Sequence, residues 1–357
     1  MQKASQHGLR VGNIRGILAS GRPNRIRAFR DAFAQLDMAE QSGIDVAWLA
    51  ELHVNPARSV LAAPLNIASA FAARSKRIKI GIAVQVLPLC HPLRLAEEIA
   101  TVDHVSGGRL IFGVGRSGFA RTYEAYGIPY GESRERFAET LEILETAFTN
   151  ERFSYQGRFH SFDNVHLVPK PVQKPHPEIR IAASAYDTYP QIGQQGYPIL
   201  IAVRQGELAE LSPHIAAYQQ AWKTAGHPGR GRLYLRIPVF VGDTAEGARA
   251  DAEHSIMTFY RELGAQIEKS AVAAGVDDGA SRGARGAAMQ SVTWEQALRE
   301  KVVVGSPAEV ADRLIELKET LGIDGILAEP NCGGLIPHEK VVASLRRLGE
   351  EVGPRLR

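Results

Sequence analysis

The stretch 81–118, GIAVQVLPLCHPLRLAEEIATVDHVSGGRLIFGVGRSG, constrains this chain more than any other. It begins inside a short β-branched run, 78–84, of the kind that suits a strand buried on both faces. Pro88 and Pro92 then break the extended run, and Pro92 suits the first turn of a helix. Leu95, Ile99, Val102 and Val105 recur at helical spacing, and Gly107-Gly108 supplies the stop. Residues 110–114 form a second apolar run, too short for a helix and bounded by glycines. A strand, a helix and a strand in this order make a right-handed parallel unit. In parallel α/β folds the loops after the strands carry the chemistry, here 85–91 and 115–119.

The same alternation runs along the chain. Strands are predicted at 9–18, 44–49, 78–84, 110–114, 179–183, 197–203, 233–241 and 323–328, with helices between them at 25–42, 61–73, 132–149, 207–225 and 244–263. Ser306, Pro307 and Glu309 mark the start of another helix, and 338–348 closes the chain. Eight short apolar strands alternating with helices predict an α/β fold of the (β/α)8 TIM-barrel type, with 1–357 as a single domain. Two insertions interrupt it. Residues of about 152–178 alternate aromatic and polar side chains around Gln156-Gly157, a β-hairpin excursion, and return through the proline-rich VPKPVQKPHPE. The Gly- and Ala-rich segment of about 268–291 has few large apolar anchors and reads as a mobile loop, either a lid or an unstructured insertion.

Gly113 to Gly118 matches G-x-G-x-x-G literally. A dinucleotide fold needs a helix to open within that motif and an acidic residue at the end of the next strand. FARTYEAYGIPYGES comes next instead, and no such strand end lies at the required distance. The glycines still let backbone approach a ligand closely, and Arg116 adds a cation suited to phosphate. A net charge of +3 from 42 basic and 39 acidic residues, without a one-sign block, gives no nucleic-acid footprint. The first residues lack the apolar core of a signal peptide and no run is long enough to span a membrane, so a cytoplasmic protein is expected. Cys90 and Cys332 form no metal-spaced pair, and the histidines show no metal spacing; His160, His166 and His176 read as surface residues. Glu51-Leu52-His53 lies at the C-terminal edge of the second strand, where a barrel places functional side chains.

GIDVAWLAELH, VLPLCHPLRLAEEIATVDHVSGGRLIFGVGRS and the IAAS strand end followed by GYPILIA resemble, in order and spacing, the bacterial-luciferase-like flavin monooxygenases. The resemblance covers nearly the whole chain. It implies a barrel, often a homodimer, that takes reduced flavin mononucleotide (FMN) from a separate flavin reductase. With O2 this gives a flavin C4a-hydroperoxide that oxygenates a small organic substrate. It implies that Arg116, Arg134 and Ser184 hold the flavin phosphate. Thr188 stands one residue out of register with a further phosphate contact. Ala83-Val84 falls where the family has a non-proline cis peptide under the flavin ring. His53 is the candidate proton donor or general acid, with Glu51 positioning it. Leu52, Gly115 and Ala183 replace a histidine, a cysteine and a glutamate of the luciferases, which argues against light emission. A deazaflavin-dependent hydride-transfer oxidoreductase and a non-catalytic flavin-binding protein are the alternatives.

Overall fold

The computed structural model describes residues 10–15, 25–55, 58–202, 208–272 and 279–357. The first half runs β1 (Arg10–Arg15), α1 (Arg25–Gln41), β2 (Val46–Leu49), α2 (Pro64–Arg74), β3 (Lys79–Val86), α3 (Pro92–Ser106), β4 (Leu110–Gly115), α4 (Ala120–Ala125) and α5 (Ser133–Thr149). The hairpin β5 (Phe153–Gln156) and β6 (Ser161–Val165) comes after it, then β7 (Glu178–Ala182), α6 (Tyr189–Gln195), β8 (Ile199–Ala202), α7 (Leu211–Thr224) and β9 (Leu233–Val241). The last third holds α8 (Ala245–Ser270), α9 (Gly279–Gln290), α10 (Trp294–Glu300), β10 (Val303–Gly305), α11 (Pro307–Leu321), β11 (Gly325–Glu329) and α12 (His338–Arg347).

β1, β2, β3, β4, β7, β8, β9 and β11 pair in that order, all parallel, and β11 returns to β1. The ring is the predicted barrel. Short runs such as VAWL and LIFGVG are buried throughout because helices cover the outside and side chains fill the inside. Helix starts obey local chemistry: Pro92 and Pro307 stand at first-turn positions, and Ser306 with Glu309 forms a capping box. The glycine motif serves packing. A Cβ on Gly113 would lie 2.2 Å from the Ile82 carbonyl oxygen, and no helix opens before Ala120.

Several expectations need correction. The first strand is described only at Arg10–Arg15; residues 9 and 16–18 lie outside the described residues. β10 is a ninth strand, paired with the end of β9, that three residues of sequence pattern do not announce. Within 268–291 the described residues are largely helical rather than structureless, and 273–278 lie outside the described residues. α8 runs on to Ser270, and GASRGARGAAMQ forms α9 beside it. Gly264 and Gly286 make the close approach: a Cβ on either would lie 2.6–2.7 Å from the other's carbonyl oxygen. Small residues that look too weak to anchor a segment are what let these helices meet.

The hairpin excursion is present, and Glu139 on α5 holds its turn. Its carboxylate accepts from the backbone N–H groups of Arg158, Phe159 and His160 at 2.7–3.1 Å. It also pairs with His160 Nδ1 at 3.1 Å, so His160 is half-buried rather than on the surface, as is His176. Burial would raise the Glu139 pKa, but these donors outweigh it and hold the value below the ordinary 4.5. That stability is present above 4.5 and is lost as pH falls through the lowered native value. Glu139→Gln should destabilise the protein by about 2–3 kcal/mol at neutral pH and flatten this part of the acid limb. Urea titrations of both proteins from neutral to acid pH check it.

Candidate active site

The N-terminal end of the barrel is plugged. Arg180 of β7 is buried, donates to Glu178 at 2.5 Å, and lies 3.6 Å from the Tyr234 ring centroid and 5.2 Å from that of Trp48. Arg232 shares the Glu178 carboxylate at 2.7 Å. Val46, Ala83, Ile111, Leu200 and Leu327 fill the interior around Trp48 and Tyr234. The candidate site residues stand at the opposite, C-terminal mouth.

Glu51 stands just after β2 there, with its side chain only 2% exposed. One oxygen accepts from the Val86 N–H at 2.8 Å, and the other is hydrogen-bonded to His53 Nε2. The carboxylate accepts, so Nε2 carries the proton and Nδ1 is left as an acceptor for the Tyr126 hydroxyl at 3.0 Å. Burial raises the Tyr126 pKa, with Glu51 and Cys90 adding to it, so the phenol stays protonated and donates. Both nitrogens of His53 are thus engaged. The outer end of the chain Glu51–His53–Tyr126 is the half-exposed Tyr126. Val54, next in sequence, has φ 46°, rare for a β-branched residue, and its carbonyl accepts from Arg121 at 2.6 Å.

Ala83-Val84 is a cis peptide inside β3, and the β3–β4 register shifts between Ile82 and Gln85. Gly115 ends β4 against it: a Cβ there would lie 2.6 Å from Val84 Cγ2. Next comes Arg116. Its Nη1 donates to Ser133 Oγ at 2.9 Å, and its guanidinium stands 5.9 Å from the Tyr130 ring centroid. Among the described residues no carboxylate pairs with it. Tyr123 is buried, donates to the Arg116 carbonyl and packs edge-on to Tyr130 at 5.1 Å. Of the three tyrosines in this segment, two pack the loop and one reaches the site. From α9, Arg282 donates to the Gly118 carbonyl at 2.8 Å and to the Tyr130 hydroxyl at 3.1 Å, so this helix fastens onto the Arg116 loop.

The remaining predicted phosphate ligands divide. Ser184 is exposed just past the end of β7. Thr188 spends its hydroxyl on the Ala185 carbonyl at 2.6 Å. Arg134 is exposed on the first turn of α5, and the residue that Arg116 contacts there is Ser133. His91 caps α3, and Cys90 is half-buried, with desolvation and then Glu51 pushing its thiol up to about 12. His338 bonds Gln35 at 2.8 Å. Among the described residues no group of three His, Cys, Asp or Glu is placed to hold a metal ion, and no helix is long and apolar enough to cross a membrane.

Three residues at the mouth give little sign of themselves in the sequence. Arg236, on the inner face of β9, forks onto Glu329 at the end of β11 with contacts of 3.1 and 2.7 Å. Arg58, in the loop after β2, lies near both. The available signal was a charge within an apolar strand, LYLRIPVFV and GILAE; Arg58 had none.

The parallel barrel carries the Arg116 loop and the Glu51–His53–Tyr126 hydrogen-bond chain at one mouth. Residues 13–325 match the luciferase-like monooxygenase family model, and the chain belongs to that family. It is therefore an oxidoreductase. The oxygenase component of a flavin-dependent trigonelline monooxygenase from Acinetobacter baylyi is 26% identical over 331 residues, 89% of this chain and 87% of that one. The oxygenating constituent of 3,6-diketocamphane monooxygenase from Pseudomonas putida, solved with FMN, superposes with a TM-score of 0.79 at 22% identity, covering 97% and 98% of the two chains. The coenzyme F420-dependent tetrahydromethanopterin reductase of Methanopyrus kandleri gives 0.71 at 18% identity, covering 99% and 100%, and shows the same fold.

Proposed function

We propose that this protein is the oxygenase of a two-component system, using reduced FMN and O2 to insert one oxygen atom into a small organic substrate. The observation that carries this reading is Arg116. It is held by Ser133 and Tyr130 at the end of β4 with no carboxylate partner among the described residues, beside a backbone where even a methyl group would clash. Those features fit a flavin phosphate with the ring over Ala83-Val84, and Ser184 adds an exposed hydroxyl at a strand end. Reduced FMN would supply two electrons for O2, one oxygen atom going to the substrate and the other to water.

The chain's own residues do the rest. The Arg116 guanidinium binds the phosphate, and the apolar wall of Val84 and its neighbours excludes water. The Tyr126 phenol stands at the outer end of the relay: as its oxygen accepts a proton from the substrate, its own proton passes to His53 Nδ1. Glu51 fixes the imidazole tautomer and stabilises the imidazolium that forms. A separate flavin reductase as partner belongs to the same reading, in keeping with the relative described as an oxygenase component.

The test is turnover with a flavin reductase, NADH and isotope-labelled dioxygen across a substrate panel. Label in the product supports the reading. Oxidation of an alcohol without label, driven by F420, would assign the site to the hydride-transfer branch of the same fold.

A further inference from the structure

The mouth holds a cation that neither the barrel nor the flavin reading uses. Arg58 emerges from the loop after β2, its backbone N–H bonded to Asn55 at 3.0 Å. Its guanidinium carbon lies 5.7 Å from the Phe119 ring centroid and 5.5 Å from that of Phe259, so aromatic walls come from the β4 loop and from α8. Nη1 is sealed from water and has no hydrogen-bond partner among the described residues. A buried charged donor left unpaired is costly, and such a group calls for a specific cause, a bound polar partner among them.

Among the described residues no neighbour completes it. Arg236 and Glu329 pair through two hydrogen bonds, so each offsets the other's charge. Glu262 also faces Arg58 electrostatically, but from an exposed position where water screens it. Burial lowers the Arg58 pKa and Arg236 lowers it further, against Glu329, Cys332 and Glu262; an arginine still stays charged at neutral pH. Among the described residues no carboxylate is hydrogen-bonded to Arg58, whose guanidinium lies between two phenyl rings.

We propose that Arg58 anchors a carboxylate of the substrate, so that the enzyme acts on small, largely apolar molecules bearing one carboxylate. The surroundings set the class: aromatic walls take a flat apolar body, and the unpartnered Nη1 takes a singly charged oxygen acceptor. The proposed cofactor phosphate has its own cation in Arg116. The proposal rests on the mouth being the substrate pocket.

The test is anaerobic calorimetry on the full chain, with and without reduced FMN, using benzoate, benzamide and benzenesulfonate on wild type, Arg58→Met and Arg58→Lys. Benzoate should bind wild type about 10- to 100-fold more tightly than benzamide. Arg58→Met should erase that difference while leaving benzamide and reduced FMN affinities unchanged, and Arg58→Lys should keep part of it. With no ligand, Arg58→Met should melt above wild type, because it removes an unpaired buried charge. Benzoate binding no better than benzamide, or neither binding, overturns the proposal, and this arm needs no variant. A preference for benzenesulfonate overturns the carboxylate assignment. Weakened reduced FMN binding in Arg58→Met would make Arg58 a cofactor residue, and a lowered melting temperature would make it a structural one. Benzoate selectivity without any reduced FMN binding would leave this proposal standing and remove the flavin reading.

Discussion

Arg116→Met should weaken reduced FMN binding by about 10- to 100-fold, the value of one or two charge-assisted hydrogen bonds to phosphate. The guanidinium is already aimed: Ser133 takes one Nη1 bond and Tyr130 sits against its face, so little ordering cost is left for binding. Methionine keeps the length and apolar stem, so the fold should hold. Arg134→Met, on the exposed side of the same helix turn, should have a smaller effect, because only Arg116 is fixed by neighbouring side chains. Fluorescence titration under anaerobic conditions reads both variants. Equal losses would return Arg134 to the phosphate site; no loss in either would remove the phosphate site from this loop.

The second large effect is expected at His53. Its ring joins the Glu51 carboxylate to the Tyr126 phenol, so His53→Ala removes the acceptor that a departing Tyr126 proton needs. Oxygenation should fall by about 10²–10⁴, the usual worth of a positioned acid–base group, while reduced FMN affinity stays near wild type. Tyr126→Phe should reproduce much of that loss if the relay ends at the phenol. A fall in His53→Ala with none in Tyr126→Phe would place the acting proton on His53 itself. Glu51→Gln separates positioning from packing: an amide still accepts from the Val86 N–H, but it cannot hold an imidazolium.

Patterns with a local cause are legible directly in the sequence. The strand 78–84 is β3, Pro92 opens α3 and Gly107 ends it in the left-handed conformation, because those rules act within a few residues. The nucleotide motif fails on the residues just after Gly118, and the structure turns its glycines to strand packing. The hidden parts depend on distant partners. α9 looks like a linker until Gly264 brings α8 against Gly286. Tyr126 gains its role only when a residue 73 positions away turns its ring towards it. Arg58 reads as one arginine in a polar loop, and its meaning comes from Phe119, Phe259, Arg236 and Glu329 converging from four other segments. Thr188 shows the reverse: a hydroxyl in a promising place that the turn itself consumes.

The central claim is that the C-terminal mouth of the barrel holds reduced FMN through Arg116. An anaerobic equilibrium titration with reduced FMN, run beside one with reduced F420, tests it most directly. Saturation at one reduced FMN per chain, with F420 the weaker ligand and Arg116→Met weakening FMN, is the predicted result. Tight F420 binding with no saturable binding of reduced FMN would contradict it.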